Sequence, residues 1–484
     1  MTAARPWSRA RDALIRRLGG ARQARLVLLL AGVLALNSAD VGVIGAIVGE
    51  LRHSLNIGNT QVGILTAVPA AVGAVATLPV GQLADRVPRV PLLAGSIVLW
   101  SVAMIMGGLA DSYAWLLASR VALGAVTATA GPTVASLIGD LFPPEERAAI
   151  YGRVLAGELL GVGFGLLVGT DIAAALNWRV SFWFVAALGL GLAVAVWRML
   201  PEPERGAQER PAGEAGTAGA AAGTEPARRA VRDLGVEPRP ETVLHEDPGR
   251  MSLWQAIVYV LRIPTNVIII IASTLGYFFF AGLRTFALFF VQHRYGVGQV
   301  ELSLFIPLVG LGSLAGVLAG GRLADRLMGR GFLTARIVVP GIGYAVSALL
   351  FVPGLLTREP AVALPLFTLA AAALAAANPP LDAVRLDVVH SRLRGRAEGV
   401  RTILRMTGEA TAPVLFGWLS VLLASGTAPD TATGLDRVFL LGLLPLLVNG
   451  LLLMRARRSY PRDVASAVES ERRTARAGVV PSGD

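Results

Sequence analysis

The chain has 484 residues, of which 54% are hydrophobic and 16% charged, and its mean hydropathy is +0.61. A soluble domain carries about 25% charged residues, so this composition excludes a soluble enzyme and predicts an integral membrane protein. Cysteine is absent and there are only four histidines, which excludes disulfides, iron–sulfur clusters and thiolate sites and argues against a histidine metal site. No metal or cofactor is expected.

Apolar stretches of spanning length recur from one end of the sequence to the other. One transmembrane helix needs about 20 apolar residues, so the length predicts about twelve spans. The first six lie at residues 26–50, 60–83, 90–110, 114–139, 149–172 and 178–199. The second six lie at 264–292, 301–324, 333–355, 361–389, 397–424 and 435–454. The predicted fold class is an all-α membrane protein.

The polar stretch between the sixth and seventh spans divides the chain into two six-helix domains, at residues 26–200 and 253–455. Residues 201–252 are rich in Pro, Gly, Ala, Glu and Arg without apolar periodicity, which predicts a disordered linker. The amphipathic stretch 251–263 is interpreted as an interfacial helix leading into the seventh span. Residues 1–25 are a basic N-terminus, and no fold is predicted for the tail, 456–484.

The chain has a net charge of +11. All of its lysine-or-arginine positions are arginine, and these arginines flank the apolar spans. Cytoplasmic segments of membrane proteins are enriched in basic residues, so the linker and both termini are predicted to be cytoplasmic. The predicted location is the cell membrane, with the chain crossing it many times. Nucleic acid is not expected as a partner because membrane topology and lipid headgroups explain the basic flanks. The N-terminal segment does not read as a cleavable signal peptide.

The two halves of the sequence repeat each other. The motif GQLADR at residues 81–86 returns as GRLADR at 321–326, after the second and the eighth span. A second correspondence has a constant offset of 247 and relates Pro132 to Pro379 and Asp140 to Asp387. Parallel repeats of this kind are typical of transporters that bind their substrate between two domains.

The repeated motif resembles the signature of the major facilitator superfamily, and the resemblance covers nearly the whole chain. In that family the glycine permits close helix packing, and the aspartate and arginines form a charge latch at the cytoplasmic ends. The resemblance implies that the latch here consists of Gly81, Asp85, Arg86 and Arg89, with Gly321, Asp325 and Arg326 in the second half. Pro88 stands where the family usually has glycine. Arg120 and Gly124 resemble a second family motif.

Within that superfamily the sequence is most similar to the Spinster-like transporters of lysolipids and sphingoid lipids and to neighbouring organic-anion porters. The similar stretches include Asn37 with Asp40, 60–63, Trp100 with Ser101, 141–147, 177–179, 387–389 and 393–396. At two positions the sequence differs from the Spinster-like pattern. Val41 follows Asp40 where an arginine is frequent, and Thr127 stands where an acid is frequent, so proton coupling through a fourth-span carboxylate is not implied.

Ionisable residues within predicted spans are costly and therefore indicate function. They are Asp40, Glu158, Arg284, Asp382, Arg385, Arg401, Arg405 and Glu409. At 1.5 Å of rise per residue, Asp40 and Glu158 lie near mid-membrane. Arg401, Arg405 and Glu409 follow one helix face, and Arg405 lies 247 positions after Glu158. Structural ion pairs between helices are the alternative interpretation.

The sequence therefore predicts a secondary active transporter, not an enzyme, that works by alternating access. The resemblance implies a small amphipathic organic molecule or a lysolipid as the substrate, and acids together with arginines suit a charged head beside an apolar body. Asp40, near Asn37, is favoured as a proton carrier and Glu158 is the second choice, and Arg284 or Arg405 is expected to move towards or away from these acids during the cycle. Facilitated uniport is left open. A multidrug/proton antiporter and a non-transporting membrane sensor are the alternatives. The expected partners are the substrate, membrane lipids and protons, and the chain is expected to be a monomer.

Overall fold

The computed structural model describes residues 20–142, 144–203, 227–245, 248, 251–424 and 431–477. Within these residues the regular elements are helices, and no strand occurs, as an all-α fold requires. The chain forms two compact units. Unit 1 comprises Met1–Ile57 and Val68–Gly216, and unit 2 comprises Gly58–Ala67 and Thr217–Asp484.

Eight helices run from the start of the described chain to residue 199. They are α1 (Ala21–Ala46), α2 (Val48–Leu55), α3 (Asn59–Arg86), α4 (Arg89–Gly108), α5 (Tyr113–Thr127), α6 (Ala130–Leu141), α7 (Pro144–Ala175) and α8 (Trp178–Met199). The first predicted span is divided near residue 47 and the fourth near residue 128. The helix α3 contributes its first turns to unit 2, where the Asn59 amide donates to Ser420 Oγ at 2.8 Å.

The closest helix contact in unit 1 joins α1 and α7 along a row of small residues. A Cβ atom added at Gly157, Gly161 or Gly165 would lie closer than 3.0 Å to a backbone carbonyl oxygen of α1. Small residues four positions apart let two helix backbones approach in this way. This row fixes the position of α7 against α1. Glu158 directly follows Gly157, the first glycine of the row.

Unit 2 contains ten of the described α-helices besides the start of α3. They are α9 (residues 227–233), α10 (Leu253–Arg262), α11 (Pro264–Tyr295), α12 (Gln299–Gly329), α13 (Ala335–Leu356), α14 (Pro360–Ala376), α15 (Asn378–Val388), α16 (Arg394–Leu422), α17 (Thr431–Ala456) and the tail helix α18 (Tyr460–Ala477). The tenth predicted span is thus two helices, α14 and α15. Pro264 occupies the first turn of α11, where its missing N–H costs nothing.

Ten helices of the described chain are long and apolar enough to cross a membrane. The other two predicted spans are the divided α5–α6 segment and α16, whose polar residues lower its hydropathy. Together they give the expected layout of twelve spans in an all-α membrane protein.

The linker and the tail differ from the expectation that neither has a fold. Residues 227–233 are helical, and the tail contains α18, which has 18 residues. Two serine hydroxyls of α18 accept backbone N–H groups of the linker: Ser466 accepts from Arg239 at 2.7 Å and Ser470 from Leu244 at 2.9 Å. Sequence reading missed this arrangement because the two segments are distant in sequence and each is too polar to indicate a core.

Candidate functional site

A buried ion pair joins α1 to α5 in unit 1. The guanidinium Nη1 of Arg120 lies 2.5 Å from Asp40 Oδ1, and the two side chains are 0% and 5% exposed. The remainder of the guanidinium lies 3.6 Å from Met104 Sδ and 5.1 Å from the ring centre of Phe182. A charge buried this deeply needs a partner of opposite sign, and each residue supplies it to the other.

Arg120 was missed as a member of the charged set, although the sequence places a single arginine in the apolar segment 113–127. In the sequence it stands out only as part of a motif that resembles one of the superfamily's. In the structure Arg120 is the ion-pair partner of Asp40. The sequence had predicted Arg284 or Arg405 for this role. Asn37, one turn before Asp40, is partly buried.

Glu158 lies in a different setting from Asp40. Its side chain is exposed on α7, next to Leu159 and Leu160, which are 53% and 70% exposed. The two acids predicted as proton carriers therefore differ in access, because Asp40 is enclosed by protein and Glu158 is open to its surroundings.

Unit 2 brings together most of the charged residues predicted in its spans. Asp382 and Arg385 lie on α15, and Arg401, Arg405 and Glu409 lie along α16. We call these five residues and Tyr277 of α11 the arginine–carboxylate cluster. Asp382 lies 3.4 Å from Arg401 and 3.6 Å from Arg385, while Arg405 lies 3.9 Å from Glu409.

The arginine–carboxylate cluster has an excess of positive charge, with three guanidinium groups against two carboxylates. Its ion pairs, at 3.4–3.9 Å, are longer than charge-assisted hydrogen bonds, which are about 2.7–2.9 Å. The carboxylate of Asp382 is 53% exposed, so the cluster is accessible. Arg405 also stacks on the ring of Tyr277, with its guanidinium carbon 4.5 Å from the ring centre. The arrangement can bind an anion beside an apolar or aromatic surface.

Arg284 does not join this cluster. It lies two turns beyond Tyr277 on α11, with its guanidinium carbon 5.8 Å from the ring centre of Phe280. Within the described chain no carboxylate lies within ion-pair distance of it.

The predicted latch of the first half centres on Arg89, which is only 3% exposed. Its guanidinium forms an ion pair with Asp140 and contacts Ser136 Oγ at 3.1 Å. The carboxylate of Glu202 accepts the backbone N–H groups of Arg89 and Val90 and thereby caps α4. For Gly81, Asp85 and Arg86 the structure describes only the backbone, which belongs to α3.

The second half has the equivalent pair. Arg336 Nη1 lies 2.9 Å from Asp387 Oδ2, Arg336 Nη2 lies 3.1 Å from Asp325, and the hydroxyl of Tyr460 donates to Asp387 at 2.6 Å. Arg336 and Asp387 follow Arg89 and Asp140 by 247 positions each, so the ion pair repeats with the sequence. This symmetric arginine was available in the sequence and was missed.

Two latch residues of the second half have other roles than expected. A Cβ atom on Gly321 would make only an ordinary contact, 3.5 Å from Pro379 Cβ, whereas on the adjacent Gly320 it would overlap the backbone of Ala376. The glycine that permits close packing is therefore Gly320. Arg326 is exposed, and the arginine that pairs with Asp325 is Arg336.

The comparison with family models decides the classification. Residues 30–413 match the Major Facilitator Superfamily model. The chain belongs to the Major Facilitator Superfamily. It is thus a multi-pass membrane protein.

Curated relatives match parts of this chain. The protein spinster of Drosophila melanogaster is 28% identical over 184 residues, which are 38% of this chain and 30% of the relative. The sphingosine-1-phosphate transporter of Danio rerio is 27% identical over 196 residues, covering 39% of each chain. The matches thus span well under half the length of these relatives. They confirm the similarity to Spinster-like proteins.

Solved structures match over a greater length. The crystal structure of a bacterial homolog of the human lysosomal transporter Spinster, in an inward-facing and occupied conformation, has a TM-score of 0.72 and 21% sequence identity. The match covers 90% of this chain and 97% of that one. At this identity the match establishes the fold.

Proposed function

We propose that this chain is a secondary active transporter that moves an amphipathic organic or lysolipid-like substrate by alternating access. The observation that supports this most directly is the arginine–carboxylate cluster of unit 2. It places three arginines, one of them stacked on Tyr277, within a predominantly apolar bundle, and an anionic headgroup with an apolar body complements this combination.

The cluster is proposed to bind the headgroup through Arg405 and Arg401, which can each present forked N–H donors to a phosphate or carboxylate. Binding there replaces long ion pairs with shorter charge-assisted bonds. The sphingosine-1-phosphate named for the relative in Danio rerio is a substrate of this general kind, which supports the choice of substrate class.

The ion pairs of Arg89 and Arg336 are proposed to serve as latches that favour one conformation of the transport cycle. Each joins the start of a helix to an aspartate at the end of another helix, so breaking it frees the ends of two helices together. The proposed location is the cell membrane, with both termini cytoplasmic and the chain acting as a monomer.

The test is uptake into proteoliposomes of a labelled anionic lysophospholipid and of a neutral monoacylglycerol. We expect Arg405→Ala to reduce uptake of the anionic compound at least about tenfold and to change uptake of the neutral compound little, because a lost charge-assisted contact is worth about 1.5–3 kcal/mol. Arg358→Ala, which removes an exposed arginine in the α13–α14 loop, is the matched control. Equal loss for both compounds would assign Arg405 a structural role with Glu409.

A further inference from the structure

A cleft in unit 1 lies where its first membrane helix, α1, begins and its last, α8, ends. The start of α1 and the end of α8 enclose a volume of about 490 Å³. Arg22, Arg25 and Arg198 line it, with Leu26, Met199 and Leu200 as apolar neighbours. We call this the terminal arginine cleft. It is separate from the charged residues discussed above.

The three arginines of this cleft lack an obvious counter-charge. Each is exposed, and none has a carboxylate within ion-pair distance among the described residues. A cation in the last turn of a helix is favoured by the helix dipole, so Arg198 alone would indicate nothing. Arg22 and Arg25 reach the same cleft from the N-terminal end of α1, where the helix dipole favours anions and not cations.

The backbone adds donors to this positive charge. The helix α1 begins after Gly20, and this N-cap residue has no side chain that could cap the first turn. The first N–H groups of a helix have no intrahelical partner and carry a partial positive charge that favours anions. The N-terminal end of α1 therefore adds the positive end of its helix dipole to the charge of Arg22.

The position of the cleft selects the kind of anion. The apolar part of α1 begins at Leu26, and Leu200 directly follows the last residue of α8. Both leucines are buried beside the arginines. The charged groups thus lie at the depth at which the hydrocarbon of a bilayer gives way to headgroups. Basic pockets between transmembrane helices at this depth suit lipid phosphates.

We propose that the terminal arginine cleft binds the phosphate of an anionic phospholipid, with the acyl chains running along the apolar surfaces of α1 and α8. The lipid is a bound component of the membrane surface and is not the transported substrate. The inference depends on the membrane location of the chain and is independent of its transport activity.

The test is native mass spectrometry of the purified chain titrated with phosphatidylglycerol or with phosphatidylcholine. Each basic residue near the surface contributes about a fivefold change in affinity for anionic lipid. The variant Arg22→Gln/Arg25→Gln/Arg198→Gln should therefore bind phosphatidylglycerol at least about tenfold more weakly and phosphatidylcholine as the wild type does. Unchanged affinity for phosphatidylglycerol would overturn the proposal.

The matched control removes three exposed arginines elsewhere, as Arg153→Gln/Arg330→Gln/Arg358→Gln. It lowers the net charge equally and should retain full affinity for phosphatidylglycerol. An equal loss in this control would show general charge attraction and overturn the proposal. Should the first triple variant fail to fold, Arg25→Gln alone is expected to show a loss of about fivefold, and no loss would overturn the proposal.

Inorganic phosphate separates the two possible sources of the anion. We expect phosphate in tenfold excess to leave bound phosphatidylglycerol in place, since the apolar lining contributes only to lipid binding. Displacement of the lipid by phosphate would identify a site for the free ion and contradict the lipid assignment.

Discussion

Arg120 and Asp40 form the most enclosed ion pair of unit 1 among its described residues, with a 2.5 Å separation between Nη1 and Oδ1. They come from α5 and α1, which are 80 positions apart in sequence at these residues. The pair fixes the two helices relative to each other through two charges that water does not screen.

The first prediction concerns the stability of this pair. Arg120→Ala should lower the free energy of unfolding by about 3–5 kcal/mol because it leaves Asp40 as a buried, uncompensated charge. The double variant Asp40→Leu/Arg120→Met should recover much of the loss, since apolar replacement removes both charges. Thermal unfolding of the purified protein in detergent provides the measurement. Losses that simply add in the double variant would contradict this account.

The second prediction concerns proton coupling, which we propose runs through Glu158. Protonation of Asp40 would leave Arg120 as a buried cation without its counter-charge, whereas the side chain of Glu158 is exposed and therefore accessible to a proton donor. Glu158→Gln should therefore abolish accumulation of labelled lysophospholipid driven by a pH gradient while counterflow in proteoliposomes persists. Asp40→Asn should reduce both modes together.

The opposite result has a clear meaning. If Asp40→Asn abolishes accumulation but retains counterflow, the pair opens in each cycle and Asp40 is the proton carrier. If both variants accumulate substrate normally, a facilitated uniporter is the better description.

The third prediction uses two glycines of α7 that differ only in their surroundings. A Cβ atom on Gly161 would overlap the backbone of Ala35, whereas one on Gly163 would meet nothing within 4 Å. Gly161→Ala should destabilise the protein by about 1–3 kcal/mol through forced separation of α1 and α7. Gly163→Ala should be neutral or stabilising by up to about 1 kcal/mol, because alanine favours a helix.

The measurement is the midpoint of thermal unfolding for the two variants side by side. Equal effects at the two positions would show that the row of glycines does not set the helix separation.

The fourth prediction concerns the attachment of α18. Burial alone would raise the pKa of Glu471, but hydrogen bonds and charge from Arg228, with the amide of Ser391, outweigh it and lower that pKa below 4.5. Ionised Glu471 therefore stabilises the attachment above pH 4.5, and this contribution is lost as the pH falls through the lowered pKa.

The pKa of Asp463, on the same helix, is shifted in the opposite direction. Burial raises its pKa above 3.8 despite hydrogen bonds from Thr265, so its contribution is present below pH 3.8 and is lost as the pH rises through the raised pKa. The protection factors of residues 460–477, which correct for the intrinsic pH dependence of amide exchange, should therefore fall on acidification below pH 4.5 in Asp463→Asn and rise in Glu471→Gln. The same trend in both variants would contradict the assignment.

The sequence alone determined the fold class, the approximate positions of the spans and the internal repeat. These follow from local rules, because spanning length and the flanking arginines can be read along the chain without knowledge of its contacts. It also placed Asp382, Arg401 and Arg405 in one candidate set, since helical spacing and a polar motif mark them.

The tertiary structure decided which charges are partners. From the sequence, Arg284 and Arg405 were the predicted partners of Asp40, whereas in the folded chain Asp40 pairs with Arg120. It also paired α18 with residues 227–245, which no local pattern indicated. Ion pairing and docking depend on atoms brought together across tens or hundreds of positions, and hydrophobic periodicity contains no information about such distances.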